Sequence, residues 1–148
     1  KASGTLSIGG QEHMYLEGQV SLAIPDEDDR MKIYTSSQHP SEVQKLVAEV
    51  LDVKLHRVMV DMRRMGGGFG GKFSPYLPPI AALLSRKTGQ SVKIVMTREE
   101  ELESTGPTPG SHVKVKMGAT REGKITAAQA YLAYEAGAYP GSPVGAGR

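Results

Sequence analysis

Cysteine and tryptophan are absent from this 148-residue sequence, and phenylalanine occurs only twice. Without a thiol the chain can build neither a disulfide framework nor a thiolate metal site. An excess of either charge is also missing, because 18 Lys and Arg stand against 16 Asp and Glu, a formal net charge of +2. The basic residues are scattered rather than gathered into a block that could follow a phosphate backbone, which argues against a nucleic-acid partner. No apolar run approaches the ~20 residues needed to cross a bilayer, so no membrane span is expected. The opening KASGTLSIGG carries no apolar stretch of signal-peptide type. It starts at Lys1 without an initiator Met, and the chain closes at Arg148 among Gly, Pro and Ala. A segment of a longer protein is therefore expected. What is present is ordinary for a globular protein: 39% hydrophobic and 23% charged residues, in a length that suits one domain with a modest core.

Apolar spacing along the chain predicts the elements. Met14 to Ile24 alternates well enough for a strand, ended by Pro25 and the acidic turn Asp26 to Asp29, and Met31 to Thr35 resumes as a second. Pro40 suits the first turn of a helix, and Val43, Leu46, Val47, Val50 and Leu51 give that helix, Pro40 to Leu51, one apolar face. Val58 to Met62 reads as a strand running into a glycine cluster. A second helix follows, carrying Ile80, Ala81, Leu83 and Leu84 and stopping at Gly89. Ser91 to Thr97 is a further strand. Thr97 with Glu100 fits a capping box, so the acidic run Glu99 to Glu103 opens a short helix with its charges toward solvent. Val113 to Ala119 and Lys124 to Tyr134 form a hairpin around Gly123, and residues 137–147 read as irregular. The order predicts an α+β fold of mixed sheet layers with packed helices, its strand neighbours left open.

Five of the six residues from Gly66 to Gly71 are glycine, with Phe69 between them. Glycine admits positive φ and close approach, and successive amide N–H groups can converge on an anion or an oxo group. A ligand cradle and a tight strand-to-helix turn both satisfy that composition. Two nucleotide patterns match by letter and fail in chemistry. Gly66, Gly71 and Lys72 resemble the start of a phosphate loop, but Phe73 stands where a magnesium-binding hydroxyl is required. Gly66, Gly68 and Gly71 have dinucleotide spacing, but Arg63, Arg64 and Met65 separate them from the strand, and no acidic residue follows at the right distance.

Two longer strings carry a family resemblance. GGQEHMYLE at Gly9 to Glu17 and RMGGGFGGKF at Arg64 to Phe73 resemble the glutamine and the glycine-phenylalanine segments of the xanthine dehydrogenase and aldehyde oxidase family. SSQHPSEVQ at Ser36 to Gln44 and MTREEE at Met96 to Glu101 fit the same family in order. The resemblance implies part of a molybdopterin-binding domain, spanning residues 1–148 as one fragment, from a molybdenum hydroxylase. Such enzymes hold molybdenum on a pterin, with or without an appended nucleotide, and oxidise carbon with oxygen from water. Electrons leave through 2Fe-2S clusters and usually FAD, bound on other domains or subunits.

Carried over residue by residue, Gln11 matches the glutamine whose side-chain amide reaches an oxo ligand of the metal. Gly67, Gly68, Phe69 and Gly70 match the segment whose backbone passes the cofactor, with the Phe69 ring flanking the substrate. Glu12 and His13 are assigned no metal role, since the family's metal takes no ligand from this stretch. Phe73 replaces a glutamate of purine-oxidising members, which turns the expected substrate from a purine toward an aldehyde or a less polar aromatic heterocycle. The general-base glutamate of the family lies far beyond this segment, so the fragment alone is expected to be inactive. A cytoplasmic location is the expectation. The rival readings are a non-enzymatic interaction domain, with the glycine cluster as a plain turn, and a nucleotide-binding domain.

Overall fold

A computed structural model describes residues 1–135 of the chain. The segment 137–147, read above as irregular, lies outside them. The described residues gather into two compact units, one made of Lys1–Glu12 with the chain from Gly106 onward, the other of His13–Thr105.

The second unit is a four-stranded sheet with helices on one face. Its strands are β2 (Val20–Pro25), β3 (Met31–Thr35), β4 (Val58–Asp61) and β5 (Val92–Val95), in the order β4-β3-β2-β5. β2 pairs antiparallel with β3 and β5, while β3 and β4 run parallel. Parallel neighbours need a crossover, and α1 (Pro40–Leu51) supplies it. α2 (Leu77–Thr88) bridges β4 to β5, with prolines in its first turn and Gly89 at φ 66° ending it. Alternate strand residues Ala23, Met31, Ile33 and Val58 point at Val43, Val47 and Ala48 of α1 and at Ala81 and Ala82 of α2 to form the core. α3 (Arg98–Ser104) starts with the predicted capping box: Thr97 Oγ1 accepts from Glu100 N at 3.2 Å, and Thr97 N donates to Glu100 Oε2 at 2.7 Å.

The first unit is an antiparallel sheet in the order β1-β6-β7, built from β1 (Ala2–Ile8), β6 (Ser111–Ala119) and β7 (Ile125–Tyr134). β6 and β7 are the predicted hairpin, with Gly123 at φ 87° in its turn.

Three expectations need correction, and one strand was missed. β1 escapes a reading by apolar alternation, because Ser, Gly and Thr fill most of it and its pairing with β6 is what makes it a strand. The strand expected from Met14 begins only at Val20: Met14 sits at φ 49°, and Tyr15 turns inward to a polar cluster. The helix faces are narrower than their apolar spacing suggests. Val50 of α1 and Ile80, Leu83 and Leu84 of α2 are exposed, and the small residues Ala48, Ala81, Ala82 and Ser85 make the close contacts instead. The acidic run does not face solvent throughout, since Glu101 is fully buried.

Candidate functional site

The glycine loop leaves β4 through Arg63, Arg64 and Met65 and returns to α2. Left-handed backbone occurs at three of its positions: Gly67 and Gly70 at φ 97°, and Phe69 at φ 51°. For a bulky residue such a φ costs of order 1–3 kcal/mol, so the surroundings must hold Phe69 there. The remaining glycines serve close packing by the protein's own side chains. A Cβ at Gly66 would lie 2.5 Å from Glu17 Cβ, one at Gly68 2.5 Å from Gln38 Oε1, and one at Gly71 2.6 Å from the Tyr15 ring. These are the three glycines that match the dinucleotide spacing. Their open side is filled from within, which removes the approach a pyrophosphate would need.

Lys72 ends the loop with its ammonium inside the protein. Its side chain is 0% exposed, bonded to Glu17 Oε2 at 2.8 Å and Ser36 Oγ at 2.9 Å, with the Tyr15 ring centroid at 4.8 Å. Burying an ammonium without a partner costs several kcal/mol, and these groups supply its compensation. Glu17 accepts also from Ser36 and from Gly66 N at 2.8 Å. Burial pushes the Glu17 carboxyl up, but hydrogen bonds from Lys72, Ser36 and Gly66, with the Lys72 charge, outweigh it and hold the group at about 2 instead of 4.5. Gln38 closes the other side. Its Oε1 accepts from Gly70 N at 2.9 Å and Lys72 N at 3.2 Å, while its own N–H donates to Lys72 O at 2.9 Å.

Below the loop, Tyr15 donates to Glu101 Oε2 at 2.5 Å, and the backbone N–H of Gln19 donates to the same carboxylate. Gln19 Nε2 reaches Tyr15 Oη and Gly71 O, each at 3.1 Å. Burial, then the bond to Glu101, raises the Tyr15 phenol well above its ordinary value. Arg98 clamps the same segment by donating to the Tyr15 and Leu16 carbonyls at 2.9 and 3.0 Å. Both strings that carried the resemblance thus meet in one polar core, through Tyr15, Glu17 and Lys72, none of which the sequence reading had placed in a site. Each string offered charged partners, Glu12 and Glu17 in the first and Arg64 and Lys72 in the second, so an ion pair between them was the available signal, without its members.

With the loop held this way, the amides of Gly67, Gly68 and Phe69 have no hydrogen-bond acceptor among the described residues. Those of Gly66, Gly70, Gly71, Lys72 and Phe73 are taken, the last two glycine-loop turns closing on Gly68 O and Gly70 O. The Phe69 ring is 74% exposed. Phe73 is half exposed with its ring centroid 6.0 Å from that of His39, at the start of α1.

Gln11 belongs to the other unit. It forms an isolated antiparallel bridge with Thr108, donating N–H to Thr108 O at 3.0 Å and accepting from Thr108 N at 2.7 Å. The bridge keeps the register of the β1–β6 ladder, in which Ile8 opposes Ser111. Gln11 is therefore a backbone-fixed rung beyond the strand ends, and its side-chain amide is exposed with no partner among the described residues.

The profile of the molybdopterin cofactor-binding domain family matches residues 1–147. The chain belongs to that family. It is 43% identical over 126 residues to the xanthine dehydrogenase of Calliphora vicina, covering 83% of this chain and 9% of that protein. It is 43% identical over 127 residues to aldehyde oxidase 2 of Cavia porcellus, covering 84% and 10% respectively. The chain thus spans about a tenth of the curated relatives it matches. Its fold is similar to that of the aldehyde oxidoreductase of Desulfovibrio gigas, with a TM-score of 0.71 over 90% of this chain and 15% of that one, at 24% identity. Together these comparisons match the molybdopterin-binding fold expected from the sequence. The residues fit such a group: a cofactor rich in oxygen acceptors needs donors, and the free amides of Gly67, Gly68 and Phe69 are a row of them. Among the described residues no helix is long and apolar enough to cross a membrane.

Proposed function

We propose that the whole chain is one fragment of the molybdopterin-binding domain of a cytoplasmic molybdenum hydroxylase that oxidises an aldehyde or an aromatic heterocycle. The observation that carries this reading is the row of unpaired amides from Gly67 to Phe69, held beside an exposed aromatic ring by the hydrogen bonds of Glu17, Gln38 and Lys72. When bound, the molybdenum cofactor supplies the oxidising centre through which carbon gains oxygen from water.

In this reading, Gly67, Gly68, Phe69 and Gly70 pass their backbone along the cofactor, and the amides contribute hydrogen bonds without adding charge. The Phe69 ring, anchored at its own left-handed backbone, gives a flat substrate a face to stack on. Gln11 offers a neutral side-chain amide to an oxygen on the metal, and its doubly bonded backbone fixes the point from which that amide reaches. Phe73 presents no hydrogen-bonding atom where a purine would need one, and an unpaired buried polar group costs about 1–3 kcal/mol. The general base, the 2Fe-2S clusters and the FAD that accept electrons are assigned to the rest of the parent protein.

The test is Gln11→Ala in the intact parent. Loss of one donor that strengthens in the transition state should slow turnover by roughly 10 to 100-fold with molybdenum content unchanged. The same parent should prefer an aromatic aldehyde to hypoxanthine in kcat/KM by about tenfold or more. Unaltered turnover of the fully loaded variant would return Gln11 to the surface, and a parent purified without molybdenum and pterin would leave an interaction domain.

A further inference from the structure

The best-bonded side chain of the loop is also the one furthest from any cofactor role. Lys72 is buried completely, yet its partners Glu17, Ser36 and Tyr15 come from the segment before β2 and the residues just after β3. The Gly66 N–H bonds the same Glu17 oxygen, and Glu17 N donates to Gly66 O at 3.2 Å, so both ends of the loop are tied to one residue. An ion pair placed inside a protein contributes little net stability, because desolvation offsets its attraction; its best-attested use is to select one arrangement among several. Here the selected arrangement is unusual, with left-handed backbone at Gly67, Phe69 and Gly70. Packing of the Phe69 ring does not hold it, since that ring is 74% exposed.

We propose that Lys72 and Glu17 form a clasp that sets the conformation of the glycine loop, and that Lys72 is thereby a positioning residue for the Phe69 ring and the amides from Gly67 to Phe69. It rests on the reading that this loop faces the cofactor and substrate. Lys72 touches neither; it acts by closing the loop at its base. Ser36 is the third member, since its hydroxyl bonds both Glu17 and the ammonium. Gln38 holds the loop independently through Gly70 N and Lys72 N. Loss of the clasp therefore frees the half from Gly66 to Phe69 more than the half after it.

The two phenylalanines of the chain, Phe69 and Phe73, lie on either side of this boundary. Labelling the full chain with 4-fluorophenylalanine gives two fluorine resonances that report on the two halves. In Lys72→Met the Phe69 resonance should shift and broaden, the Phe73 resonance should move less, and the methyl signals of Ile33 and Val47 should stay in place. In the intact parent the same variant should raise KM for an aromatic aldehyde about tenfold while kcat changes less than about threefold and molybdenum and pterin are retained. A general loss of structure would instead disturb the core methyls and the cofactor content. Should Lys72→Met not fold, Ser36→Ala removes one hydroxyl and keeps the ion pair, and it should move Phe69 in the same direction by a smaller amount. An unmoved Phe69 resonance in a folded variant overturns the clasp and leaves the cofactor reading intact. A moved resonance with unchanged KM shows instead that the loop does not face the substrate, and the proposal falls together with that reading.

Discussion

The two units differ in what their sheets do with apolar residues. In His13–Thr105, β2 and β3 bury every second residue, and Met31, Ile33, Val43 and Val47 vanish from solvent between one sheet and two helices. In the other unit, the whole of β1 and nearly all of β7 are exposed, and Leu6, Ile8, Met117, Ile125, Tyr131, Leu132 and Tyr134 pack into no core of their own. Hydrogen bonding alone makes a sheet's geometry; burial of one face makes it stable. One unit thus carries its own core, while in the other the ladders fix the register and the apolar faces of the described residues are bare.

The largest effect that separates them is expected from truncation. Ile33→Ala should destabilise the helical unit by about 2–5 kcal/mol, whereas Leu132→Ala should change stability by no more than about 0.5 kcal/mol. Denaturant unfolding followed at each unit by hydrogen exchange measures both. Equal losses would mean that the bare sheet has a core after all. A smaller effect sharpens the contrast between the units: Gly71→Ala forces a Cβ into the Tyr15 ring and to 2.9 Å from His13 Nδ1, and should cost about 1–3 kcal/mol, whereas Gly4→Ala, in β1, meets nothing within 4 Å and should be close to neutral. The smallest concerns acid. The Glu17 carboxyl is lowered to about 2, so its contribution is complete above pH 4.5 and fades as pH falls from 4.5 toward 2. Its side chain is 37% exposed, which screens the effect and keeps it modest. Subtracting the pH profile of Glu17→Gln from that of the natural chain should isolate this loss. Glu122 is also lowered, by its own backbone N–H and by Thr120, but it sits fully exposed in the hairpin turn, so Glu122→Gln should leave the acid profile unaltered.

The same contrast explains what the sequence disclosed. Helices α1 and α2, the capping box at Thr97 and the β6–β7 hairpin follow local rules of spacing, proline position and turn glycine, and they stand where those rules put them. β1 follows no local rule, because Ala2 to Ile8 becomes a strand only by pairing with β6, more than a hundred residues away. The glycine loop was visible, and so was its odd Phe69. The use of its glycines was not: Gly66, Gly68 and Gly71 make room for Glu17, Gln38 and Tyr15, which no spacing within the loop reveals. Glu101 misled for a similar reason. One acid in a run of four points inward only because Tyr15 and Gln19, over eighty residues earlier, wait there to donate to it.

The rung between Gln11 and Thr108 has a consequence for how such a chain could diversify. The backbone leaves the β1–β6 ladder just after one member of this pair and rejoins it just before the other, in unbroken register. Everything between is topologically an insert whose two ends are sewn together by a pair of backbone hydrogen bonds. The entropy of closing such an excursion rises only with the logarithm of its length. Folded modules of quite different size could be exchanged at this seam with little thermodynamic resistance, provided each delivered its ends to the same two residues.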